Sequence, residues 1–111
     1  KFSTTKGEQL CDFCHVDDVV EAIFKTLSIK KTNGEIINIG SGKPTQIKKL
    51  ILLINKIIGK GHPVIGGLKY RDKTNKKNYP NISKAKNLLS WKPKISFIEG
   101  IKRTIKIFDE K

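Results

Sequence analysis

The chain has 111 residues, enough for one domain or part of one, and its 37% hydrophobic residues can supply a modest core. With 23 Lys and Arg against 10 Asp and Glu, it carries a net charge of +13. The sequence contains no run of about 18 apolar residues and no apolar signal-peptide core, so we expect a cytoplasmic protein with no membrane-spanning helix and no membrane partner.

The beginning of the chain, up to Ser28, predicts a short extended segment followed by a helix. Apolar residues recur at every third position from 10 to 16, a spacing that matches neither the helix nor the strand period and indicates an extended segment. Asp17 is placed to cap a helix whose apolar stripe covers residues 19–27. This helix should end near Ser28, before a polar run.

The middle of the chain predicts a buried strand and a buried helix. Residues 35–40 are rich in β-branched side chains and end in glycine, as is typical of a buried strand. A turn over residues 40–44 follows, and Thr45 can cap the next helix. That helix is apolar on most of its circumference and ends at Gly59, so we expect it to be buried on most sides.

The last third of the chain predicts one weak strand and two helices. Residues 64–70 form the weak strand, with a bend at a glycine pair, and residues 71–80 form a loop. Residues 83–89 predict a short helix, and a capping box that begins at Ser96 opens the last helix. The alternation of strands and helices along the chain is typical of an α/β protein.

Cys11, Cys14 and His15 form the C-x-x-C-H pattern of covalent c-type haem attachment. Haem iron would also need a distal ligand, but the chain has no Met, and His62 is the other His. The predicted strands also differ from the nearly all-helical small cytochromes c. The spacing fits no zinc pattern either, so we expect two reduced, partly buried thiols and no metal, with a c-type haem protein as a remote alternative.

Residues 40–43, Gly-Ser-Gly-Lys, resemble the end of a P-loop that binds phosphate. That motif requires a glycine where Ile37 stands and a Ser or Thr where Pro44 stands. We therefore expect a tight connection between a strand and a helix.

The excess of positive charge has three explanations. Almost all the cations are Lys, spread over every segment among Ile and Asn, as an AT-rich genome would produce. A lysine-rich face for anionic ligands is a second explanation. A basic nucleic-acid-binding module is the third and is kept as the alternative function, but it would cluster its charge and use Arg, so nucleic acid is not the expected partner.

Several segments, in order, resemble the extended short-chain dehydrogenase/reductase family, the NAD-dependent nucleotide-sugar epimerases and dehydratases. Residues 7–18 resemble the G-x-Q-x-R-D-F-x-H-V-D-D pattern of that family, and residues 34–42 resemble its G-E-x-x-N-I-G-S-G strand and turn. Arg71 and residues 81–93 are similar to its R…D-x-S-K-A-K…L-G-W-x-P segment, and residues 98–105 to its last helix. Order and approximate spacing are kept across nearly the whole chain.

The resemblance implies the C-terminal, substrate-binding part of a Rossmann-type enzyme, with short strands alternating with about four helices. The chain lacks the family's Gly-rich NAD loop and its catalytic Tyr-x-x-x-Lys, and it does not begin with Met. We therefore expect a fragment that is inactive alone, without catalytic or cofactor-binding residues. Residues 12–40 would pack against the missing N-terminal domain, which binds NAD or NADP, and residues 41–111 would form the substrate-binding subdomain. The parent would be a homodimer.

The resemblance also implies that Arg71, Asn78 and Cys11 contact a nucleotide-diphosphate sugar, while the parent isomerises, dehydrates or reduces the sugar through a keto-sugar intermediate. Arg71 stands where the family commonly places an arginine, whose planar guanidinium can bind a diphosphate by paired hydrogen bonds. Asn78 lies near a position where the family contacts nucleotide or sugar. Cys11 replaces a family arginine that contributes to phosphate binding.

Other conspicuous side chains are expected to be structural. His15 should be hydrogen-bonded at a domain junction, and Trp91 should fill the core between the last two helices. The helix over residues 19–27 should expose apolar surface in the isolated chain and favour association or marginal stability.

Overall fold

The computed structural model describes residues 1–71 and 76–110. Its elements, in chain order, are β1 (Phe2–Ser3), β2 (Leu10–Cys11), α1 (Val16–Ser28), a 3-10 helix (Lys30–Thr32), β3 (Thr45–Gln46), α2 (Ile47–Ile58), β4 (Pro63–Val64), β5 (Lys77–Asn78), α3 (Ser83–Leu89) and α4 (Phe97–Asp109). No helix within the described ranges is long and apolar enough to cross a membrane.

The chain divides into two compact units, each built from two separate stretches of sequence. Unit 1 contains Lys1–Cys11 and Pro44–Asn78, and unit 2 contains Asp12–Lys43 and Tyr79–Lys111. The five strands and α2 belong to unit 1, whereas α1, α3 and α4 belong to unit 2. The predicted α/β class is confirmed.

Unit 1 contains two small sheets. In one, β1 pairs in parallel with β4; in the other, β2 lies between antiparallel β3 and parallel β5. The first turn of α2 is tied to the chain before β2, because Ile47 N donates to Gln9 O and Lys48 N donates to Gly7 O. Gly7 has a φ of +66°, and a Cβ there would lie 2.6 Å from Lys48 N, so this close approach requires glycine.

Unit 2 has a small apolar core where α1 meets α3. Trp91, which follows α3, is 1% exposed and is the largest side chain in this core. Its burial was predicted, but the core it fills lies between α1 and α3 rather than between the last two helices. The other fully buried apolar residues around it are Ala22, Ile82, Ala85 and Leu89.

The N-terminus of α1 differs from the prediction. His15, rather than Asp17, is the N-cap, and its Nδ1 accepts a hydrogen bond from Asp17 N at 3.1 Å. The extended backbone of His15 brings the ring nitrogen onto the first turn, so the helix begins at Val16. Asp17 lies inside the first turn, where its negative charge interacts favourably with the helix dipole.

The predicted N-terminus of α4 is confirmed. Ser96 Oγ accepts a hydrogen bond from Glu99 N at 3.2 Å. The second half of the capping box is replaced by a different contact, because the Glu99 carboxylate accepts from Arg103 Nε at 3.0 Å.

Residues 35–40 were predicted to be a buried strand, and this is wrong for the described part of the chain, which contains no strand paired with them. Ile37 and Ile39 pack against the core of unit 2, whereas Ile36 is 84% exposed. A β-rich composition favours extended backbone, but a strand also needs a neighbour to accept its hydrogen bonds.

The prediction for Thr45 and α2 is also corrected. Thr45 does not cap α2; it lies in β3, where it pairs with Cys11 of β2. The N-cap residue is Gln46, whose side chain makes no capping hydrogen bond. No residue of α2 is fully buried. The helix packs on the short strands β3 and β4, which are too small to cover its apolar circumference.

Two loop boundaries differ from the sequence prediction. The weak strand of residues 64–70 is limited to β4, because Gly66, with φ of +83°, and the Gly67 N to Val64 O bond begin a turn. The predicted loop of residues 71–80 contains β5, and residues 72–75 lie outside the described part of the chain.

Ser90, the C-cap of α3, has a left-handed backbone with φ of 50° and ψ of 37°. Because a Cβ is strained there, we expect Ser90→Gly to raise the free energy of unfolding by about 0.5–1 kcal/mol in a urea titration. Its backbone carbonyl would still accept the hydrogen bond from Lys25 Nζ.

A matched control is Lys86→Gly, an exposed position inside the same helix. That change should lower the free energy of unfolding by about 0.5–1 kcal/mol, since glycine is a poor helix former. If Ser90→Gly destabilised the chain as much as Lys86→Gly does, the conformation of Ser90 described above would be wrong.

Candidate functional site

Two of the three predicted site residues are neighbours in the three-stranded sheet of unit 1. Cys11 is the register partner of Asn78 in β5 and of Thr45 in β3. Register partners project from the same face of a sheet, so the three side chains form a row across the strands. We call Thr45, Cys11 and Asn78 the polar row; it offers a hydroxyl, a thiol and an amide side by side.

The sequence prediction missed Thr45 as a member of this row. Its residue type indicated a helix cap, and a strand of two residues carries no readable alternation. Cys11 and Thr45 are half-buried and Asn78 is exposed. The row is therefore uncharged and accessible from solvent at its Asn78 end.

Arg71, the third predicted residue, is exposed and belongs to the same unit. The preceding residue, Tyr70, accepts a hydrogen bond at its hydroxyl from Glu8 N at 2.9 Å. The Lys76 ammonium lies 4.7 Å from the Tyr70 ring centroid, and Lys76 O accepts from Leu10 N at 2.8 Å. The chain on either side of residues 72–75 is thus attached to the segment that leads into Cys11.

The glycine turn that resembles a P-loop is closed by a carboxylate of the protein itself. Asp12 accepts hydrogen bonds from Ser41 N at 2.7 Å and from Gly42 N at 2.9 Å. A Cβ at Gly40 would lie 2.7 Å from Pro80 Cγ, so glycine is required for the close packing. Since Asp12 occupies these backbone donors, the turn is not available to a phosphate. The predicted strand-to-helix connection is wrong in its ends, because no strand leads directly into the turn in the described residues and β3 lies between the turn and α2.

His15 and Asp17 have structural surroundings rather than those of a catalytic pair. His15 Nδ1 is used as the helix cap, and Asp17 Oδ2 lies 3.8 Å from that nitrogen and 4.0 Å from Arg103 Nη1. The Asp17 side chain is largely exposed. Exposed ion pairs of this length contribute little free energy, which fits a surface role.

Asp18, the next residue, has a buried carboxylate whose structural role was not predicted from the sequence. It is 2% exposed, and its two carboxylate oxygens accept from Lys94 N and Ile95 N, each at 3.0 Å. Its backbone carbonyl accepts from Trp91 Nε1 at 3.0 Å. Asp18 therefore joins the first turn of α1 to the segment between α3 and α4.

The two cysteines have different surroundings. Cys11 is a strand residue of unit 1, whereas Cys14 packs against the core of unit 2. Burial raises the pKa of the Cys14 thiol, and the negative charges of Asp18 and Asp12 raise it further. Cys14 therefore remains a protonated thiol at neutral pH, and both cysteines are free and half-buried, as predicted.

Comparison with known proteins gives consistent matches. A model of the family described as GDP-mannose 4,6 dehydratase matches residues 1–104. The chain is 39% identical over 100 residues to a UDP-glucuronate 4-epimerase of Thermodesulfobacterium geofontis, covering 89% of this chain and 30% of that protein. It is 36% identical over 110 residues to the dTDP-D-glucose 4,6-dehydratase of Bos taurus, covering 94% of this chain and 30% of that protein.

Solved structures agree with these relatives. A UDP-glucose 4-epimerase from Thermotoga maritima, crystallised with UDP-glucose, superposes with a TM-score of 0.87 at 32% identity, covering 99% of this chain and 35% of that one. A UDP-glucuronic acid 4-epimerase from Bacillus cereus, in complex with NAD, superposes with a TM-score of 0.75 at 31% identity, covering 96% and 34%. The chain thus spans about 30% of the length of the curated relatives it matches.

The hydrogen bonds of Asp18 lead to a stability prediction. Asp18→Ala leaves two backbone donors without their acceptor, and each such loss costs about 1–3 kcal/mol. We expect the free energy of unfolding, measured in urea, to fall by about 2–4 kcal/mol.

The control is Asp17→Ala, which removes an exposed carboxylate one residue away. That variant should stay within about 0.5 kcal/mol of the parent chain. Equal losses in the two variants would mean that the Asp18 carboxylate does not hold the segment after α3.

Proposed function

This chain belongs to the extended short-chain dehydrogenase family of NAD-dependent nucleotide-sugar epimerases and dehydratases, and on that basis we propose that it forms the nucleotide-sugar-binding, C-terminal part of such an enzyme. The family resemblance found in the sequence is confirmed, and the comparisons favour it over a c-type haem protein and over a nucleic-acid-binding module. The parent enzyme would isomerise, dehydrate or reduce its sugar through a keto-sugar intermediate.

The observation that best supports this proposal is the pairing of Cys11 with Asn78. These two residues are far apart in the sequence and were assigned to the substrate from family resemblance, yet they are register partners in one sheet. Thr45 extends the row on the other side. Such a row can hydrogen-bond the uncharged hydroxyl and carbonyl groups of a sugar or nucleoside.

The diphosphate needs positive charge, which the polar row lacks. Arg71 carries a guanidinium that can form two parallel, charge-assisted hydrogen bonds to phosphate oxygens. Cys11 stands where the family places a further arginine, so we propose that Arg71 carries more of the diphosphate contact here than it does in relatives with both. Lys76 adds a point charge beside Tyr70.

The cofactor would be bound by another part of the enzyme. A dinucleotide pyrophosphate binds to free backbone donors in a glycine-rich turn at a helix N-terminus. The described glycine turn of this chain does not fit that role, because Asp12 occupies the donors of Ser41 and Gly42. We propose that NAD or NADP and the catalytic residues belong to a part of the parent enzyme outside this chain.

We propose that residues 12–40 pack against that cofactor-binding part. One face of α1 is apolar and exposed, with Phe24 66% and Leu27 77% accessible. Val16, Val20 and Ile23 extend the same stripe at helical spacing. The exposed Ile36 lies in the strand-like segment that has no strand partner in the described part of the chain. A contiguous apolar surface of this kind is typical of an interface.

The proposal predicts a nucleotide-sugar affinity that depends on Arg71. Titration calorimetry of the chain with UDP-, GDP-, CDP- and dTDP-glucose should find binding to at least one of them. Arg71→Ala should weaken that binding at least tenfold, since a hydrogen bond to a charged group contributes about 1.5–3 kcal/mol. Cys11→Arg should strengthen it several-fold by adding a second guanidinium beside Asn78.

Arg103→Ala is the matched control, because Arg103 is the other arginine of the chain and lies in unit 2. It should leave the dissociation constant unchanged. The proposal fails if no nucleotide sugar binds even to the Cys11→Arg variant, or if Arg71→Ala and Arg103→Ala weaken binding equally.

A further inference from the structure

The positive charge of the chain is unevenly distributed between the two units. Unit 1 has eleven Lys and Arg residues against two acidic residues, and unit 2 has twelve against eight. No Asp or Glu occurs anywhere from position 36 to position 71. A general lysine bias explains the abundance of cations but not why acidic residues are nearly absent from one unit.

The centre of this acid-free stretch is α2. Eight of its twelve residues are Leu or Ile, and its only charged residues are Lys48, Lys49 and Lys56. At 100° per residue these three lysines lie within one arc of about 100°, and all three are exposed. Leu52 lies in the middle of the arc and is 44% exposed.

The lysines of α2 are not neutralised within the described part of the protein. Every ion pair between two described residues lies in unit 2, where Glu21, Glu35, Glu99 and Asp17 supply the carboxylates. The acidic residue of unit 1 in the described ranges is Glu8. Among the described residues, Lys48, Lys49 and Lys56 therefore have no ion-pair partner.

Aliphatic side chains are exposed in the same unit. Ile58 at the end of α2, Val64 in β4 and Leu68 in the following turn are each at least 40% exposed, in addition to Leu52. Lys60 and Lys69 flank these residues in the sequence. Lysines mixed with exposed aliphatic side chains are complementary to a partner surface that has an outer layer of negative charge and an apolar layer directly below it.

We propose that the α2 surface of unit 1, formed by Lys48, Lys49, Leu52 and Lys56, binds the anionic headgroup layer of a lipid bilayer. The helix lies along the bilayer, its lysines contact lipid phosphates and carboxylates, and the exposed Leu52 between them enters the boundary with the acyl chains. Nucleic acid fits this surface less well, because α2 contains no arginine or aromatic residue. The inference is independent of the nucleotide-sugar site.

The test is sedimentation of the chain with sucrose-loaded vesicles. Vesicles of phosphatidylglycerol mixed with an excess of phosphatidylcholine should bind the chain at low salt, and pure phosphatidylcholine vesicles should not. The triple variant Lys48→Glu, Lys49→Glu, Lys56→Glu should lower the partition coefficient at least tenfold. Leu52→Ser should lower it several-fold without changing the net charge.

The control triple variant is Lys30→Glu, Lys31→Glu, Lys86→Glu, which makes the same change in net charge at exposed lysines of unit 2. It should keep most of the binding, and circular dichroism should show that every variant stays folded. Failure of the parent chain to bind anionic vesicles would overturn the proposal, and so would equal losses in the two triple variants. Binding of duplex DNA without binding of vesicles would assign the surface to nucleic acid and also overturn it.

Discussion

The hydrogen bonds of Asp18 are the constraint on which unit 2 depends. Its carboxylate holds the backbone at Lys94 and Ile95, and its carbonyl holds the indole of Trp91. A carboxylate that is 2% exposed would be costly without these donors. The donors come from a segment near the other end of the chain, so one residue fixes both the first turn of α1 and the position of the core tryptophan.

Unit 1 is held together by fewer and weaker interactions than unit 2. Its strands are two residues long and give few backbone hydrogen bonds, and none of the residues of α2 is fully buried. The proposed substrate residues Cys11 and Asn78 are nevertheless brought together by this sheet. A ligand that bridges these strands would raise the free energy of unfolding of a sheet that has little stability of its own. Ligand binding and local stability are therefore coupled in unit 1.

The helices were the most predictable part of the fold, because a stripe of helical period extends over many positions. The predicted ends of α1 and α3 and the predicted start of α4 agree closely with the observed ones. The cap of α1 was misassigned because a His ring nitrogen can replace the more common Asp oxygen. The strand at residues 35–40 was wrong because composition predicts extended backbone but cannot supply a partner strand.

The candidate site was predictable only in part. Resemblance to family motifs led us to propose Cys11, Asn78 and Arg71, but the neighbour Thr45 depends on pairing between segments that are distant in the sequence and has no local signal. Asp18 was missed for the same reason, since its three donors are far away in sequence. The sequence predicts residues that belong to a periodic pattern or to a family motif. It does not predict residues whose role depends on pairing between distant segments.

We propose that nucleotide-sugar binding belongs to the polar row of unit 1 and that the Asp18 and Trp91 contacts of unit 2 are structural. Amide chemical shifts of the ¹⁵N-labelled chain, recorded during a titration with UDP-glucose, test this most directly. We expect shifts centred on Thr45, Cys11 and Asn78, with little change around Asp18 and Trp91. Shifts centred on unit 2, or none at millimolar ligand, would contradict it.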